Sequence, residues 1–285
     1  MIVFPGSQSP DLAWEVSKNL DVELGKIETK KFPDQEIYCR IKTPVKGLEA
    51  IVIQSLRTSD DLVELILLLE TLRDAGAHQI HCVTPYLTYM RQDKRFNEGE
   101  SLSAKTILKL LDEFSDSLTT INCHFLNHEG EAVYNNIRFT NLDATKEIAG
   151  YFNEKLKNPV LVAPDKGAMG FAKQAAEILG CEFFHIEKER ISPTEVRMTC
   201  DTLRVRNKDV LMIDDIISTG GTIRKACEML KGCGSASINV AAVHGIFLNG
   251  VSQFKGVVDR LASTNTLQSS QSKISVSELI SQNFK

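Results

Sequence analysis

The chain has no Cys-x-x-Cys pair, no Walker A run, no His-Glu-x-x-His motif and one tryptophan in 285 residues. Each absence removes a class of function. Seven cysteines, an odd number without ligand spacing, fit reduced thiols in a cytoplasmic protein better than disulfides or zinc. Without Walker A there is no P-loop ATPase at the motif level. His124 and His128 have a metal-compatible separation, but His-Phe-Leu-Asn-His lacks the metalloprotease glutamate, so zinc is not expected. Long apolar runs are also missing, since Leu62–Leu69 is too short to span a bilayer and carries Glu64. The opening Met1-Ile2-Val3-Phe4-Pro5-Gly6 lacks the basic region and full apolar core of a signal peptide. Excess positive charge is missing too. A formal net charge of −4 argues against broad nucleic-acid binding, so any anionic ligand must be drawn in by local cations.

What is present is an ordinary globular composition, 42% hydrophobic and 25% charged, enough for one large or two ordinary α/β domains. Apolar strand candidates recur at Ala50–Gln54, Ile80–Thr84, Thr120–Cys123, Val160–Ala163, Phe183–Ile186, Val210–Ile213 and Ile238–Val243. Helical patterns alternate with them. One is capped by Asp60/Asp61 and runs through Arg73 to Gly76; one runs from Ser101 or Ser103 to Phe114; a third covers Gly167–Leu179 and ends at Gly180. Such alternation predicts an α/β fold of mostly parallel sheets flanked by helices. Residues 141–158 read as a helix between two halves, 1–143 and 144–285. The polar stretch 264–273 reads as a loop before a final amphipathic helix within 276–284, expected to pack back on the first half.

The densest chemistry lies at 210–222. Val210–Ile213 is apolar throughout, as in a strand buried on both faces, and Asp214 and Asp215 follow where it should end. Ser218-Thr219-Gly220-Gly221-Thr222 then leads into a helix with Ile223, Ala226, Cys227 and Leu230 on one face. The glycines admit backbone N–H groups to an anion, the hydroxyls add donors, and the helix N-terminus favours negative charge. A carboxylate pair cannot serve that anion, but it suits vicinal hydroxyls. Together they describe a ribose 5-phosphate site. The run resembles the signature of type I phosphoribosyltransferases and of ribose-phosphate pyrophosphokinase (PRPP synthetase), and by itself does not separate the two.

Three further segments add chemistry, each with a bland alternative. Pro164-Asp165-Lys166-Gly167-Ala168 follows a strand and leads into a helix, so Asp165 and Asp214 can face one crevice; alone, it would be an ordinary turn. In Glu187-Lys188-Glu189-Arg190, extended geometry points Lys188 and Arg190 to one side, suited to a charge-rich phosphoryl transition state, unless the run is simply solvated. Tyr86–Phe96 gathers three cations with Tyr and Phe rings, as a nucleotide site or an interface loop would.

In order along the chain, these segments resemble PRPP synthetase over its whole length. Phe32-Pro33-Asp34-Gln35-Glu36 is similar to the family's Phe-x-Asp-Gly-Glu nucleotide segment, and Tyr89-Met90-Arg91-Gln92-Asp93 to its Tyr-x-Arg-Gln-Asp segment, with Ser101–Lys105 resembling the helix start that follows. His124 falls at a magnesium-associated histidine, Asp165 at the aspartate of a Pro-Asp-x-Gly turn, and Lys188 and Arg190 at a catalytic Lys-x-Arg loop. Arg-Gln-Asp-Lys-Arg-Phe combined with Ser-Thr-Gly-Gly-Thr is most similar to the archaeal-type branch. Gln35 replaces a usual glycine, Lys166 a usual small residue, and 125–139 departs from the segment tied to phosphate/ADP control and hexamers.

The resemblance implies two tandem type I phosphoribosyltransferase-like domains and diphosphoryl transfer from ATP to the 1-hydroxyl of ribose 5-phosphate, giving PRPP and AMP. Asp214, Asp215, Ser218, Thr219, Gly220, Gly221 and Thr222, with Arg190, would hold ribose 5-phosphate. Phe32, Asp34, Gln35, Glu36, Arg91 and Gln92 would hold ATP, the first four reaching it from a neighbouring subunit of a homodimer or larger homo-oligomer. Mg²⁺ would sit near His124 and Asp165, and Lys188 and Arg190 would carry catalysis. Two rivals stay open, a salvage phosphoribosyltransferase and a non-catalytic homologue. The first needs neither the first half nor Lys188 and Arg190; the second would have lost residues that are all present.

Overall fold

A computed structural model describes residues 1–190, 196–199 and 202–285, and the side chains of all of these except 188–190 and 196–199. The chain divides into two units. One comprises Met1–Asp143 with Thr266–Gln268 and Ser275–Lys285, and the other Ala144–Asn265 with Ser269–Ile274.

The first unit begins with β1 (Ile2–Pro5), α1 (Pro10–Asn19) and the short β2 (Glu23–Leu24). A hairpin follows, β3 (Ile27–Lys31) and β4 (Ile37–Ile41). Then come β5 (Glu49–Ile53), α2 (Ser59–Asp74), β6 (Gln79–Thr84), α3 (Ser103–Phe114) and β7 (Ser117–Ile121). A second hairpin, β8 (Gly130–Tyr134) and β9 (Ile137–Leu142), ends the run. The sheet order is β2-β1-β5-β6-β7-β9-β8, parallel except for the β8–β9 pair. The central strand β5 is an apolar run because both faces are covered; Ala50, Ile51, Val52 and Ile53 are all fully buried.

In the second unit α4 (Thr145–Asn153) leads to β10 (Pro159–Ala163), α5 (Met169–Leu179) and β11 (Glu182–His185). A detached hairpin of β12 (Glu187–Arg190) and β13 (Val196–Thr199) comes next, then α6 (Thr202–Val205). The long β14 (Asp209–Ile217), α7 (Gly221–Gly232), β15 (Ser237–Gly245), β16 (Arg260–Thr264) and β17 (Ser272–Ile274) complete it. The sheet, β11-β10-β14-β15-β16-β17, is parallel throughout. The last helix, α8 (Ser277–Gln282), belongs to the first unit and packs on α1, where Asn19 Nδ2 donates to Ser277 Oγ at 3.2 Å.

Each of the seven apolar runs forms a strand, but several boundaries need correction. The strand expected at Thr120–Cys123 starts three residues earlier, at Ser117, and ends two earlier, at Ile121, because Asn122 turns the chain at φ +42°. Helix α2 is capped by Thr58, not by Asp60 or Asp61. Asp61 instead closes a capping box, accepting from the N–H groups of Arg57 (2.9 Å) and Thr58 (2.6 Å). The helix expected over 141–158 covers only Thr145–Asn153, since Asn141 and Leu142 complete β9. The loop expected at 264–273 already contains the start of β17. Strand β14 runs four residues beyond Ile213, through Asp214 and Asp215.

Candidate active site

The second sheet changes direction of winding between β10 and β14, and ligands of open parallel sheets bind outside the carboxyl ends of strands at such a point. The Asp165 loop after β10 and the Asp214–Thr222 stretch of β14 and its following turn lie at that end. Asp214 and Asp215 are the sixth and seventh of the nine residues of β14, so they are held by a strand, not by the loop that sequence suggests. Asp214 Oδ1 accepts from the Asp215 N–H at 3.0 Å, and Asp215 Oδ1 from the Ile216 N–H at 2.7 Å. Burial pushes the Asp214 carboxyl up to about 8, helped by the charge and hydrogen bonding of Asp215 and then by the charge of Asp165. The charge of the loop after β10 thus acts on a carboxyl of β14.

Beyond β14 the chain turns into α7 through Ser218, Thr219 and Gly220. Gly220 is the N-cap at φ +82°, a left-handed conformation that favours glycine. A Cβ there would stand 2.6 Å from Phe254 Cζ and 3.1 Å from Gln253 Nε2, so the position is closed to side chains twice over. Gln253 Nε2 also braces the turn by donating to the Thr219 carbonyl at 2.7 Å. No side chain caps α7, and its first turn carries no acidic residue. This is a helix N-terminus left open to an external anion.

Asp165 folds its own loop, accepting from the N–H groups of Gly167 (3.0 Å) and Ala168 (3.3 Å). The loop borders a cavity of about 640 Å³ lined by Asp165, Lys166, Gly167, His185, Ile186 and Glu187. His185 was missed in the sequence. The signal was register, because β10 and β11 pair in parallel with Ala163 beside His185, which carries His185 to the same sheet end. Glu187 opens β12, where the backbones of Lys188 and Arg190 pair with Met198 and Val196. The side chains of Lys188 and Arg190 lie outside the described residues.

The other expected residues belong to the first unit. Phe32–Glu36 forms the turn of the β3–β4 hairpin, closed by Phe32 N–H to Glu36 O (2.8 Å) and Gln35 N–H to Phe32 O (2.9 Å). Phe32 stays exposed at the tip, edge-on to Tyr38 with ring centroids 5.8 Å apart, and Lys30 sits 4.7 Å over the Tyr38 ring. Arg91 and Gln92 lie in the loop after β6, entered through Tyr89 at φ +67°. Gln92 Nε2 donates to Glu100 Oε2 at 3.2 Å, whereas the Phe96 ring is exposed beneath Lys94. No hydrogen bond links the hairpin tip to Arg91 or Gln92 among the described residues. His124 is exposed beyond β7. No group of three or more His, Cys, Asp or Glu side chains has metal-binding geometry among the described residues, and no described helix is long and apolar enough to cross a membrane.

Two family models match the chain: the N-terminal domain of ribose phosphate pyrophosphokinase over residues 1–114, and the phosphoribosyl transferase domain over 135–263. The chain is 43% identical to the ribose-phosphate pyrophosphokinase of Pyrococcus furiosus, covering 95% of this chain and 96% of that protein. It is 40% identical to the enzyme of the same description from Methanothermobacter thermautotrophicus, with 98% of each chain covered. The crystal structure of phosphoribosylpyrophosphate synthetase from Mycobacterium smegmatis superposes with a TM-score of 0.85 at 25% identity, over 99% of this chain and 96% of that one.

Proposed function

The chain belongs to the ribose-phosphate pyrophosphokinase family, and from that premise we propose how its residues divide the reaction. It is a diphosphotransferase that moves the diphosphoryl group of ATP to the 1-hydroxyl of ribose 5-phosphate, giving PRPP and AMP. The observation that carries the assignment of parts is the pairing of the Asp214–Asp215 carboxyls with the uncapped N-terminus of α7.

In this reading the 5-phosphate rests on the N–H groups and hydroxyls of Ser218–Thr222, where no acidic side chain competes with it. Asp214 and Asp215 accept hydrogen bonds from the ribose hydroxyls. The protonation that burial favours in Asp214 is lost when cationic charge arrives. Lys188 and Arg190 stabilise the charge of the transferring group, and Arg190 also touches the sugar phosphate. Phe32, Asp34, Gln35 and Glu36, with Arg91 and Gln92, hold ATP. A homo-oligomer fits this division because the hairpin tip carries Phe32 into solvent, where a second subunit's nucleotide can be reached. A cytoplasmic location fits the reduced thiols and the substrates.

Magnesium suits this donor set. Asp165, Asp214 and Asp215 offer hard carboxylate oxygens, and Mg²⁺ commonly takes one or two carboxylates and completes its shell with waters and substrate phosphates, without a three-residue protein cage. When bound it would neutralise the polyphosphate. For His124 the support is the family pattern alone.

The test is a coupled assay on the purified chain with ATP, ribose 5-phosphate and Mg²⁺ and no nucleobase. PRPP and AMP should form together and stop on chelation. Release of ADP would contradict diphosphoryl transfer. Nucleotide formation only from PRPP and a base would establish a salvage transferase.

A further inference from the structure

The turn between β14 and α7 has its carbonyls taken up from one side, by the segment that follows β15. The Ser218 carbonyl accepts from the Leu248 N–H at 2.9 Å, and the Thr219 carbonyl from Gln253 Nε2 at 2.7 Å. In a trans peptide the C=O and the next N–H point in opposite directions. These two bonds therefore turn the N–H groups of Thr219 and Gly220 away from the segment after β15. The Gly220 N–H has no hydrogen-bond partner among the described residues, whereas the Gly220 carbonyl already accepts from the Arg224 N–H at 2.9 Å.

Of the two ties, only the second depends on a side chain. Gln253 lies in a single 3-10 turn, Ser252–Phe254, and its Nε2 also donates to the Gly250 carbonyl at 3.0 Å. Two carbonyl acceptors use both hydrogens of one amide and so fix which way it faces. Phe254 is 3% exposed and edge-on to Phe247, with ring centroids 6.4 Å apart, and it backs Gly220 where a Cβ would clash. Beside a glycine, the Thr219–Gly220 peptide meets little steric resistance to turning over. Turned over, it would present a carbonyl oxygen to an anion. Gln253 holds the orientation that presents the N–H.

We propose that Gln253 is a positioning residue for the sugar phosphate: it keeps the Thr219–Gly220 peptide with its N–H toward the 5-phosphate of ribose 5-phosphate. It touches no reacting atom. The role rests on the sugar-phosphate assignment made above, and it concerns the end of the substrate remote from the reacting C1.

Gln253→Met keeps the length of the side chain and removes both donors. The KM for ribose 5-phosphate should rise about five- to thirty-fold, as for one misdirected charge-assisted hydrogen bond, while kcat and the KM for ATP stay within about twofold. Gln253→Glu sets carboxylate oxygens against the same two carbonyls and should raise the KM at least as far. An unchanged KM for ribose 5-phosphate in the methionine variant overturns the proposal. So does a fall in kcat with both KM values altered, the mark of a residue that only stabilises the fold. Wild-type protein gives a reading that needs no variant to fold. In the ¹⁵N-labelled chain the Gly220 amide signal should shift on adding ribose 5-phosphate and stay in place with ATP alone; a signal indifferent to the sugar phosphate also overturns the proposal. A wild-type chain that does not bind ribose 5-phosphate would overturn the function itself, whereas wild-type binding with an indifferent Gln253→Met overturns only the glutamine's role.

Discussion

After β5 the chain reaches helix α2 through Gln54, Ser55, Leu56, Arg57 and Thr58; after β14 it reaches α7 through Ser218, Thr219 and Gly220. The two sheets share the order of a short outer strand, an opening strand and then this third one, so the connections occupy equivalent places. In the first unit the helix N-terminus is closed by its own side chains. Thr58 caps it, and Asp61, 5% exposed, takes up the Arg57 and Thr58 N–H groups. Glu64 holds the loop after β1 by accepting from Ser7 N–H (2.8 Å) and Ser7 Oγ (2.6 Å), and Gln54 Oε1 accepts from the Gln8 N–H (2.9 Å). The cavity of about 400 Å³ left there mixes Lys30, Lys31 and Arg57 with Asp60, Asp61 and Glu64. In the second unit glycine replaces the capping residue and no carboxylate enters the first turn. One topology thus satisfies its helix-start donors with its own side chains in the first unit and leaves them without a side-chain cap in the second, as the proposed phosphate site requires.

The sharpest way to break this comparison is to remove catalysis from the second unit alone. Lys188→Ala is expected to lower kcat by about 10²- to 10³-fold with a smaller change in KM, as for a donor acting on the transition state. Steady-state kinetics on folded protein would decide it, and near-normal turnover would return the 187–190 run to a solvated hairpin.

A pH effect comes next, confined to the same unit. The Asp214 carboxyl lies near 8 when folded, far above its ordinary 3.8, so the folded state holds a proton that the unfolded state releases. Its contribution to stability is fully present below the unfolded value and is lost as pH rises toward 8. Denaturant titrations without Mg²⁺ should show that fall, and Asp214→Asn should flatten it. Binding of Mg²⁺ with ribose 5-phosphate near neutral pH should release part of a proton, read as a buffer-dependent heat. Identical heats in buffers of different ionisation enthalpy would refute this.

A matched pair of threonines tests the two helix starts directly. Thr222→Ala should weaken ribose 5-phosphate binding by roughly 1–3 kcal/mol and leave ATP binding and melting temperature almost unchanged. Thr58→Ala should do the reverse, lowering stability by about 0.5–2 kcal/mol through the lost cap while ribose 5-phosphate binds as before. If both variants changed binding, the first unit's closed helix would be part of the site.

How much of this was legible depends on how local each signal is. Buried parallel strands announce themselves as apolar runs, so Val160–Ala163 and Ile238–Val243 were readable within a residue or two at each end. The β3–β4 hairpin is not, because its strands are only partly buried and carry charged residues on β3, so the sequence there shows only the Phe32–Glu36 segment and no apolar run. In the β8–β9 hairpin, Asn135 and Asn136 both take positive φ (+50° and +70°), the arrangement of a type I′ turn, yet 125–139 registered only as a divergence. Asp214 and Asp215 misled in the other direction, since carboxylates suggest a loop where the strand continues to Ile217. In the site itself, the Gly220 turn was readable because its requirement is written into five consecutive residues. His185 was not, because only register across two strands carries it to the β10 loop.

The smallest expected effect returns to the first unit. Gln35 sits at φ +76° in the hairpin turn, a conformation that costs a residue with a Cβ about 1 kcal/mol or more and glycine almost nothing. Gln35→Gly removes that strain but also frees the unfolded chain, so the net gain in stability should stay within about 1 kcal/mol. Among the described residues the Gln35 side-chain amide makes one long contact, 3.5 Å to the Pro33 carbonyl, so little bonding is lost with the side chain. The informative reading is the nucleotide. If the hairpin tip contacts ATP through Gln35 itself, the glycine variant should raise the KM for ATP even as the turn relaxes. If backbone shape is what matters, KM should hold or fall. Ribose 5-phosphate affinity should stay constant in either case, because the hairpin belongs to the unit whose helix is already closed; a change there would break the division of labour between the two units.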